Sequence, residues 1–327
     1  MMRPTIIAAC LCIATTQTVA AESVTLRYGQ IPSTLRSVSS LFLVIAQQQG
    51  FLAREDIKLD LVPIPGGTDK MIAALDRGAV DVTRTATPYL ITAALAGSDA
   101  VAIAGETGNP IYSLIAKPEI KTFADLKGRV VGLSLAVDTI SISMRKLMAL
   151  KGLTEADYAV KELVGTPLRL DCLKKGDCDA VPLGQPEDLV AMGQGYRRLG
   201  LSTEAVGSFQ FTVAAARRSW AEKNKSALVR FVRAIGGAFR FIHDPGNRTQ
   251  VASAIVQSTG SSEEIAQATL ALYFEPDRGV MPKQAEIDLK GLAQVIAFMG
   301  EGGVIKPPLP SPERFVDLQY LKAAGVE

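Results

Sequence analysis

The chain has 327 residues, 48% hydrophobic and 6% aromatic, with 35 Lys plus Arg against 33 Asp plus Glu and a net charge of +2. That length can bury two cores of about 100–200 residues each, and balanced charge without a long basic run gives no support to nucleic-acid binding. No internal stretch approaches the ~18 unbroken apolar residues of a membrane span.

The first residues stand apart. Met1-Met2-Arg3-Pro4 is positively charged, residues 5–15 are mostly apolar, and Thr18-Val19-Ala20 and Val19-Ala20-Ala21 both fit small-residue cleavage sites. This is the pattern of a secretory signal peptide cut near Ala20 or Ala21, so residues 1–21 are set aside from the fold and a periplasmic product is expected. Ile7-Ala8-Ala9-Cys10 also matches a lipoprotein cleavage box, but only about four apolar residues would precede that cut against the ~7–15 of an h-region, and the later cut is preferred. Cleavage there removes Cys10 and Cys12 and leaves Cys172 and Cys178 in a compartment that permits disulfides. These two flank the turn Lys174-Lys175-Gly176-Asp177, between the end of a helix and the start of a strand. A short structural bridge is expected there. Two cysteines and one distant histidine, His243, do not supply the ligands of a metal site, and the pair is wider than a redox Cys-x-x-Cys.

In the mature chain, residues 24–30 alternate as a first strand, residues 31–36 form a loop, and a helix runs from about 37 or 38 to 49. Leu41, Val44, Ile45 and Gln48 share one face of that helix and Gly50 ends it. The stretch 57–89 organises the chain. Ile57, Leu59 and Leu61 alternate with Lys58, Asp60 and Val62 as a strand. Gly66-Gly67-Thr68-Asp69 is a turn, and a short helix then turns Met71, Ile72 and Leu75 inward. Gly78 stops the helix, and Ala79-Val80-Asp81-Val82 starts a second strand. This unit favours a parallel sheet with a right-handed crossover. It places the turn at the carboxyl end of a strand, where small ligands bind in open α/β sheets. Gly66 and Gly67 let a guest approach the backbone, and the free N–H groups beside Thr68 favour an anion. A tight turn with Thr68 or Asp69 as N-cap accounts for the same residues.

Thr83-Arg84-Thr85-Ala86-Thr87 sits where that strand hands over to a helix. Arg84 carries the planar fork that suits a carboxylate or sulfonate; equally it reads as a surface arginine or a partner of Asp81. Thr85 and Thr87 are polar cleft candidates. Residues 100–104 form a buried strand, 105–110 a loop and 111–116 another strand. Residues 123–128 make a short helical turn, 129–133 a strand and about 139–151 a helix, repeating the earlier order; Ser134 and Thr139 offer hydroxyls and Asp138 reads as an N-cap. Residues 179–183 form a strand, and Gly184-Gln185-Pro186-Glu187 opens the next helix, which sets Gln185, both donor and acceptor, at the strand end. In 208–215, Phe209 and Phe211 alternate with Gln210, which turns Gln210 towards the cleft. The remainder is helical, with Leu228, Phe231, Val232, Ile235 and Phe239 at core spacing.

Gln49-Gly50-Phe51-Leu52, Ile57-Lys58-Leu59-Asp60-Leu61, Gly66-Gly67, Ala73-Ala74-Leu75, Gly78 and Val80-Asp81-Val82 resemble the N-terminal half of periplasmic solute-binding proteins of ABC importers. The group in question serves nitrate, sulfonate, taurine, bicarbonate and pyrimidine-type ligands. The likeness continues through Phe123-Ala124-Asp125-Leu126-Lys127-Gly128-Arg129-Val130-Val131-Gly132 and Leu173-Lys174-Lys175-Gly176-Asp177-Cys178-Asp179-Ala180, nearly the whole mature chain. It implies an α/β, two-lobed periplasmic-binding-protein fold (type II), each lobe a mostly parallel sheet flanked by helices, with the ligand cleft between the lobes. Lobe I would comprise 22–111 and 208–327 and lobe II 112–207. Tyr112 at the first crossing would stack on a ligand or fill the hinge. The resemblance also implies that the first loop and helical turn line the cleft, which adds Ser33, Thr34, Ser39 and Ser40, residues that otherwise read as caps. The C-terminal half would wrap lobe I and contribute few ligand contacts. Expected partners are a small-molecule ligand and a membrane permease, with the chain acting as a monomer and without a cofactor.

Two functions compete: a receptor that closes its lobes on a solute and an enzyme on the same fold. An enzyme needs a base, a nucleophile or a metal in the cleft. His243 stands at a helix end far from it, and the chain has no His-x-x-x-His pair and no Gly-x-Ser-x-Gly elbow. It also lacks the cysteine-rich motif of the pyrimidine-forming enzymes that share part of the resemblance. An Asp or Glu catalyst stays open. The export signal favours a receptor, because the related biosynthetic enzymes are cytoplasmic. A receptor that presents its ligand to a membrane sensor is a third reading.

Overall fold

The computed structural model describes residues 23–274 and 278–326; the expected signal peptide and Cys10 lie outside them. In chain order the strands are β1 (Val24–Gln30), β2 (Ile57–Pro63), β3 (Val82–Ala86), β4 (Ala100–Thr107), β5 (Ser113–Ala116), β6 (Val130–Leu133), β7 (Ala159–Glu162), β8 (Ala180–Leu183), β9 (Arg197–Leu201) and β10 (Thr212–Arg217). They form two sheets, ordered β2-β1-β3-β10-β4 and β7-β6-β8-β5-β9. The chain passes from the first sheet to the second between Thr107 and Ser113, and returns between Leu201 and Thr212.

Both sheets are mixed and, as expected, mostly parallel: in each, four of the five strands point the same way and one runs against them. In the first, β1 pairs in parallel with β2 and β3, while β10 runs antiparallel to β3 and β4. The second has the same plan: β6 is parallel to β7 and β8, and β5 is antiparallel to β8 and β9. The cause lies in the crossings. β5 and β10 are the strands by which the chain arrives from the other sheet, so each starts at the cleft and opposes strands that end there.

Most elements follow from the periodicity of the sequence. The glycine-turn helix is Asp69–Asp76, and Gly78 leaves it at a positive φ of 70°. The helix Lys225–His243 buries Leu228, Phe231, Val232, Ile235 and Phe239, and Phe239 stacks on Phe42 at 4.9 Å between centroids. Each such buried side chain contributes about 1.5–3 kcal/mol relative to exposure. The later helices Arg248–Thr259, Leu289–Glu301 and Gln319–Ala324 add their apolar faces to the same core. The second sheet has smaller cores, one around Leu126, Val131, Leu133 and Leu147 and another around Cys172, Leu173 and Val181. Cys172 and Cys178 are joined by a disulfide with Cα atoms 5.3 Å apart. Among the described residues, no helix is long and apolar enough to cross a membrane.

Several elements differ from the sequence reading. β3 starts at Val82, not Ala79, because Asp81 is drawn into a pair with Arg27 (2.6 Å) where the chain joins the sheet. Thr83, Arg84 and Thr85 therefore lie inside a strand and alternate across it. β4 continues to Thr107, through Gly105, where a Cβ would meet the Glu286 carbonyl oxygen at 2.1 Å. The edge strand β7 (AVKE) is exposed along its length and has no apolar alternation to announce it.

Candidate functional site

A cavity of about 110 Å³ lies between the two sheets. The first lobe contributes the loop carrying Ser33, Thr34 and Ser39, together with Thr68, Arg84 and Thr107. The second contributes Ser134, Asp138, Arg169, Gln185 and Glu187, from the segments that follow β6, β7 and β8. Tyr112 and Phe211 close it at the two crossings, ring edge against face at 6.1 Å. These are the carboxyl ends of the parallel strands, the position where open α/β sheets take ligands.

Of the residues singled out by sequence, Ser33, Thr34, Ser39, Thr68, Arg84, Ser134 and Gln185 line this cavity. Gly66 and Gly67 shape its approach without lining it: Gly66 sits at φ 104°, and a Cβ on Gly67 would stand 3.2 Å from Leu135 and 3.3 Å from Val164 across the cleft. Thr68 occupies the N-cap position, yet its hydroxyl caps nothing and is buried without a partner among the described residues. Ser40 is buried and donates to Gln30 (3.1 Å).

Four candidates turn away from the cavity. Thr85 lies on the face of β3 opposite Arg84, fully buried, with its hydroxyl 3.4 Å from the Ala86 carbonyl. Thr87 donates to the Gln210 carbonyl (2.6 Å) and ties its helix to the second crossing. Thr139 is fully buried behind Asp138 (3.4 Å). Gln210 clamps the crossing: its Nε2 donates to the carbonyls of Thr107 (3.1 Å) and Thr212 (3.0 Å), and its Oε1 accepts from Asp288 N–H (2.7 Å). For Thr85, Thr87 and Gln210 a main-chain partner, and for Thr139 the Asp138 carboxylate, answers a polar group that its place in the sequence had pointed at the cleft.

Arg84 is neither a surface residue nor Asp81's partner. It is 6% exposed and reaches the Ser39 carbonyl (2.7 Å), Thr107 Oγ1 (3.0 Å) and Thr212 Oγ1 (3.1 Å), with its Nε 3.5 Å from Glu106. Glu106 in turn accepts from the buried Tyr28 hydroxyl. Burial pushes the Glu106 carboxyl up to about 7, against the opposing pull of the Arg84 charge and the Tyr28 hydrogen bond. Arg84 thus faces the cavity beside a carboxyl that burial tends to protonate, with one Nη1 N–H uncommitted among the described residues.

Arg169 is the cation that sequence reasoning missed. It is 1% exposed and, among the described residues, bonds only neutral oxygens: the carbonyls of Pro182 (2.7 Å) and Leu163 (3.1 Å) and the Thr166 hydroxyl (3.2 Å). Among the described residues these bonds leave two of the guanidinium's five N–H groups, and its Cζ lies 5.8 Å from the centroid of the Tyr112 ring. Burial pulls its pKa down, against the attraction of Tyr112, Asp138 and Glu187. An arginine stays charged in proteins, so a partly unanswered positive charge lines the cavity wall. The available signal was its spacing: Arg169, Cys172 and Leu173 share the buried face of the helix Thr166–Lys175. Asp138 is a committed N-cap, accepting from Ile140 N–H (3.0 Å) and Ser134 (2.9 Å), and burial raises its pKa.

The profile of the NMT1/THI5-like family matches residues 38–247. The chain belongs to that family. The matched stretch takes in Arg84, Arg169 and Gln185 and leaves out Ser33, Thr34 and Tyr273 of the cavity wall. Over 193 residues this NMT1/THI5-like chain is 30% identical to a protein of Escherichia coli strain K12 provisionally named as aliphatic sulfonates-binding. That match covers 57% of this chain and 58% of the relative, so the chain spans little more than half the length of that curated relative. Two solved structures show the fold. The ligand-binding component of an ABC-type import system from Staphylococcus aureus, with zinc bound, aligns with a TM-score of 0.77 at 14% identity, covering 93% of this chain and 99% of that one. The periplasmic aliphatic sulphonate-binding protein SsuA of Escherichia coli aligns with a TM-score of 0.67 at 20% identity, covering 90% and 92%. The NMT1/THI5-like chain therefore has the two-lobed fold of periplasmic binding proteins, as the sequence resemblance implied.

Proposed function

We propose that this protein is the extracytoplasmic solute-binding component of an ABC importer, a monomer that captures a small acid, a sulfonate or carboxylate, between its lobes and hands it to a membrane permease. The observation that carries this reading is Arg169, a buried guanidinium on the cavity wall whose hydrogen-bond partners among the described residues are all neutral. A planar fork of this kind suits the paired oxygens of a carboxylate or sulfonate. The spare N–H of Arg84 and the Thr68 hydroxyl offer further donors from the opposite lobe. Residues 22–111 with 208–327, and residues 112–207, act as the two moving bodies, and residues 1–21 are removed near Ala20 or Ala21 on export to the periplasm. Contacts across the cleft support closed lobes: Ser33 lies 3.6 Å from where a Cβ on Gly165 would stand, and Lys146 of the second lobe pairs with Glu301 of the first.

The test is a thermal-shift screen of the purified protein against small carboxylates and sulfonates, each beside its neutral amide or alcohol analogue. A ligand of the folded state raises the midpoint with the logarithm of its concentration. Acids alone should shift it, and the bound acid should be recovered chemically unchanged. Conversion to a product would replace the receptor reading by an enzyme. Equal shifts from neutral analogues would remove the anion.

A further inference from the structure

Arg84 lines the cavity on one side and meets a buried acid on the other. Its Nε stands 3.5 Å from Glu106 Oε2, and both side chains are buried. Glu106 Oε1 accepts from the Tyr28 hydroxyl, while Oε2 takes no hydrogen bond among the described residues. Glu106 is not on the cavity wall; it stands behind the guanidinium, on the strand that carries Thr107. Among the described residues, the titratable groups that face it are Arg84 from β3 and Tyr28 from β1. β10, beside β4, carries no charge from Thr212 to Ala216. Along the other edge of β4, Glu286 is taken by the amides of Lys283 and Gln284, Asp288 by Ser208 and Asp317 by Arg218. The helix Lys225–His243 brings only the Phe231 ring against Tyr28. Arg84 is therefore the cation that answers Glu106.

An acid guest in the cavity would share that guanidinium with Glu106. Two negative charges on one cation repel each other, and the buried carboxylate yields by taking a proton. Burial already brings the Glu106 carboxyl up to about 7, so little is needed to protonate it near neutral pH. We propose that solute capture is coupled to protonation of Glu106: the protein takes up a proton from solvent with its acid, and Glu106, acting through Arg84, weakens the hold as it ionises. This rests on the anion reading above and adds its regulation. Glu106 touches no solute and changes only the charge that Arg84 presents, which makes it a positioning residue. The sign follows from linkage. A guest that raises the proton affinity of Glu106 binds best where Glu106 is already protonated, and more weakly as pH rises through its titration.

The experiment is calorimetric titration of the purified protein with ethanesulfonate and with propanoate at about pH 6, 7 and 8, repeated in buffers of different ionisation enthalpy to count the protons taken up. Both probes stay ionised over this range, so any proton goes to the protein. Affinity should fall at least about threefold from about pH 6 to about pH 8, within the limit of about tenfold per pH unit that one proton allows, with part of a proton taken up near neutrality. In Glu106→Gln, which resembles the protonated carboxyl, affinity should stay at its acid-side value and the uptake should vanish. Tyr28→Phe removes a hydrogen bond that holds the Glu106 pKa down, and should move the fall to higher pH, a shift that a purely structural loss would not give. Binding that ignores pH and takes up no proton would overturn the coupling and leave the anion site standing. Uptake that persists in Glu106→Gln would overturn the assignment and pass the proton to Asp138 or Glu187, carboxyls of the cavity wall. If neither probe binds, the coupling and the anion reading fall together.

Discussion

Burial pushes the Glu106 carboxyl up to about 7 from an ordinary 4.5, and this has a measurable consequence for stability. Between those values the folded chain keeps a proton that the unfolded chain has released, so stability falls as pH rises through the window. Chemical denaturation at a series of pH values should record that fall, and Glu106→Gln should flatten it. A slope unchanged in the variant would mean that Glu106 does not titrate there. The same geometry makes Arg84→Ala chiefly a stability variant, because it removes the cation beside a buried carboxyl and the donor to Ser39, Thr107 and Thr212. At this scale the sequence was read well wherever a residue's neighbours in the chain decide its role, as for Asp138 at its helix cap. It was read poorly where a partner distant in sequence decides. Glu106 and Tyr28 are 78 positions apart, and Gln210 is satisfied by Asp288 N–H from equally far away. Arg169 went unread because its partners Pro182 and Leu163 lie in other segments, although it shares the buried face of its helix with Cys172 and Leu173.

Among the elements, the strand–turn–helix unit at 57–86 and the long core helix were legible because each repeats its apolar spacing over many residues. β7 and β9 were not, since short strands at the sheet edges carry too little alternation, and the mixed character of the sheets follows from where the chain crosses, which no local pattern encodes. The helix Thr166–Lys175 positions Arg169 and is pinned at its far end by the Cys172–Cys178 bridge. The closed loop is short, so the bridge contributes about 2 kcal/mol by restricting the unfolded chain. Replacing both cysteines by alanine should lower the melting midpoint by several degrees and weaken ligand binding as well, because the bridged helix carries the guanidinium. A variant with unchanged melting would show the bridge to be dispensable for this lobe.

For the whole molecule, two lobes joined by two crossings place charged and polar groups from both halves around one small cavity. The fold itself was legible from the motif runs between 49 and 180, and the comparisons place the chain in the NMT1/THI5-like family. What the motifs did not carry is the solute, because selectivity rests on a few side chains whose orientation depends on the packing between the lobes. On the proposed reading, closing the lobes around a guest would remove water and strengthen the polar contacts made there. The central claim, that Arg169 supplies the counter-charge for an acid, is tested most directly by isothermal titration. The best-binding acid is titrated into the purified protein and into its Arg169→Gln variant, well below the unliganded melting midpoint of each. Loss of charge-assisted hydrogen bonds worth about 1.5–3 kcal/mol predicts a fall in affinity of about 10- to 100-fold in the variant. Equal affinity in the two proteins would contradict the account and move the binding charge elsewhere in the cleft.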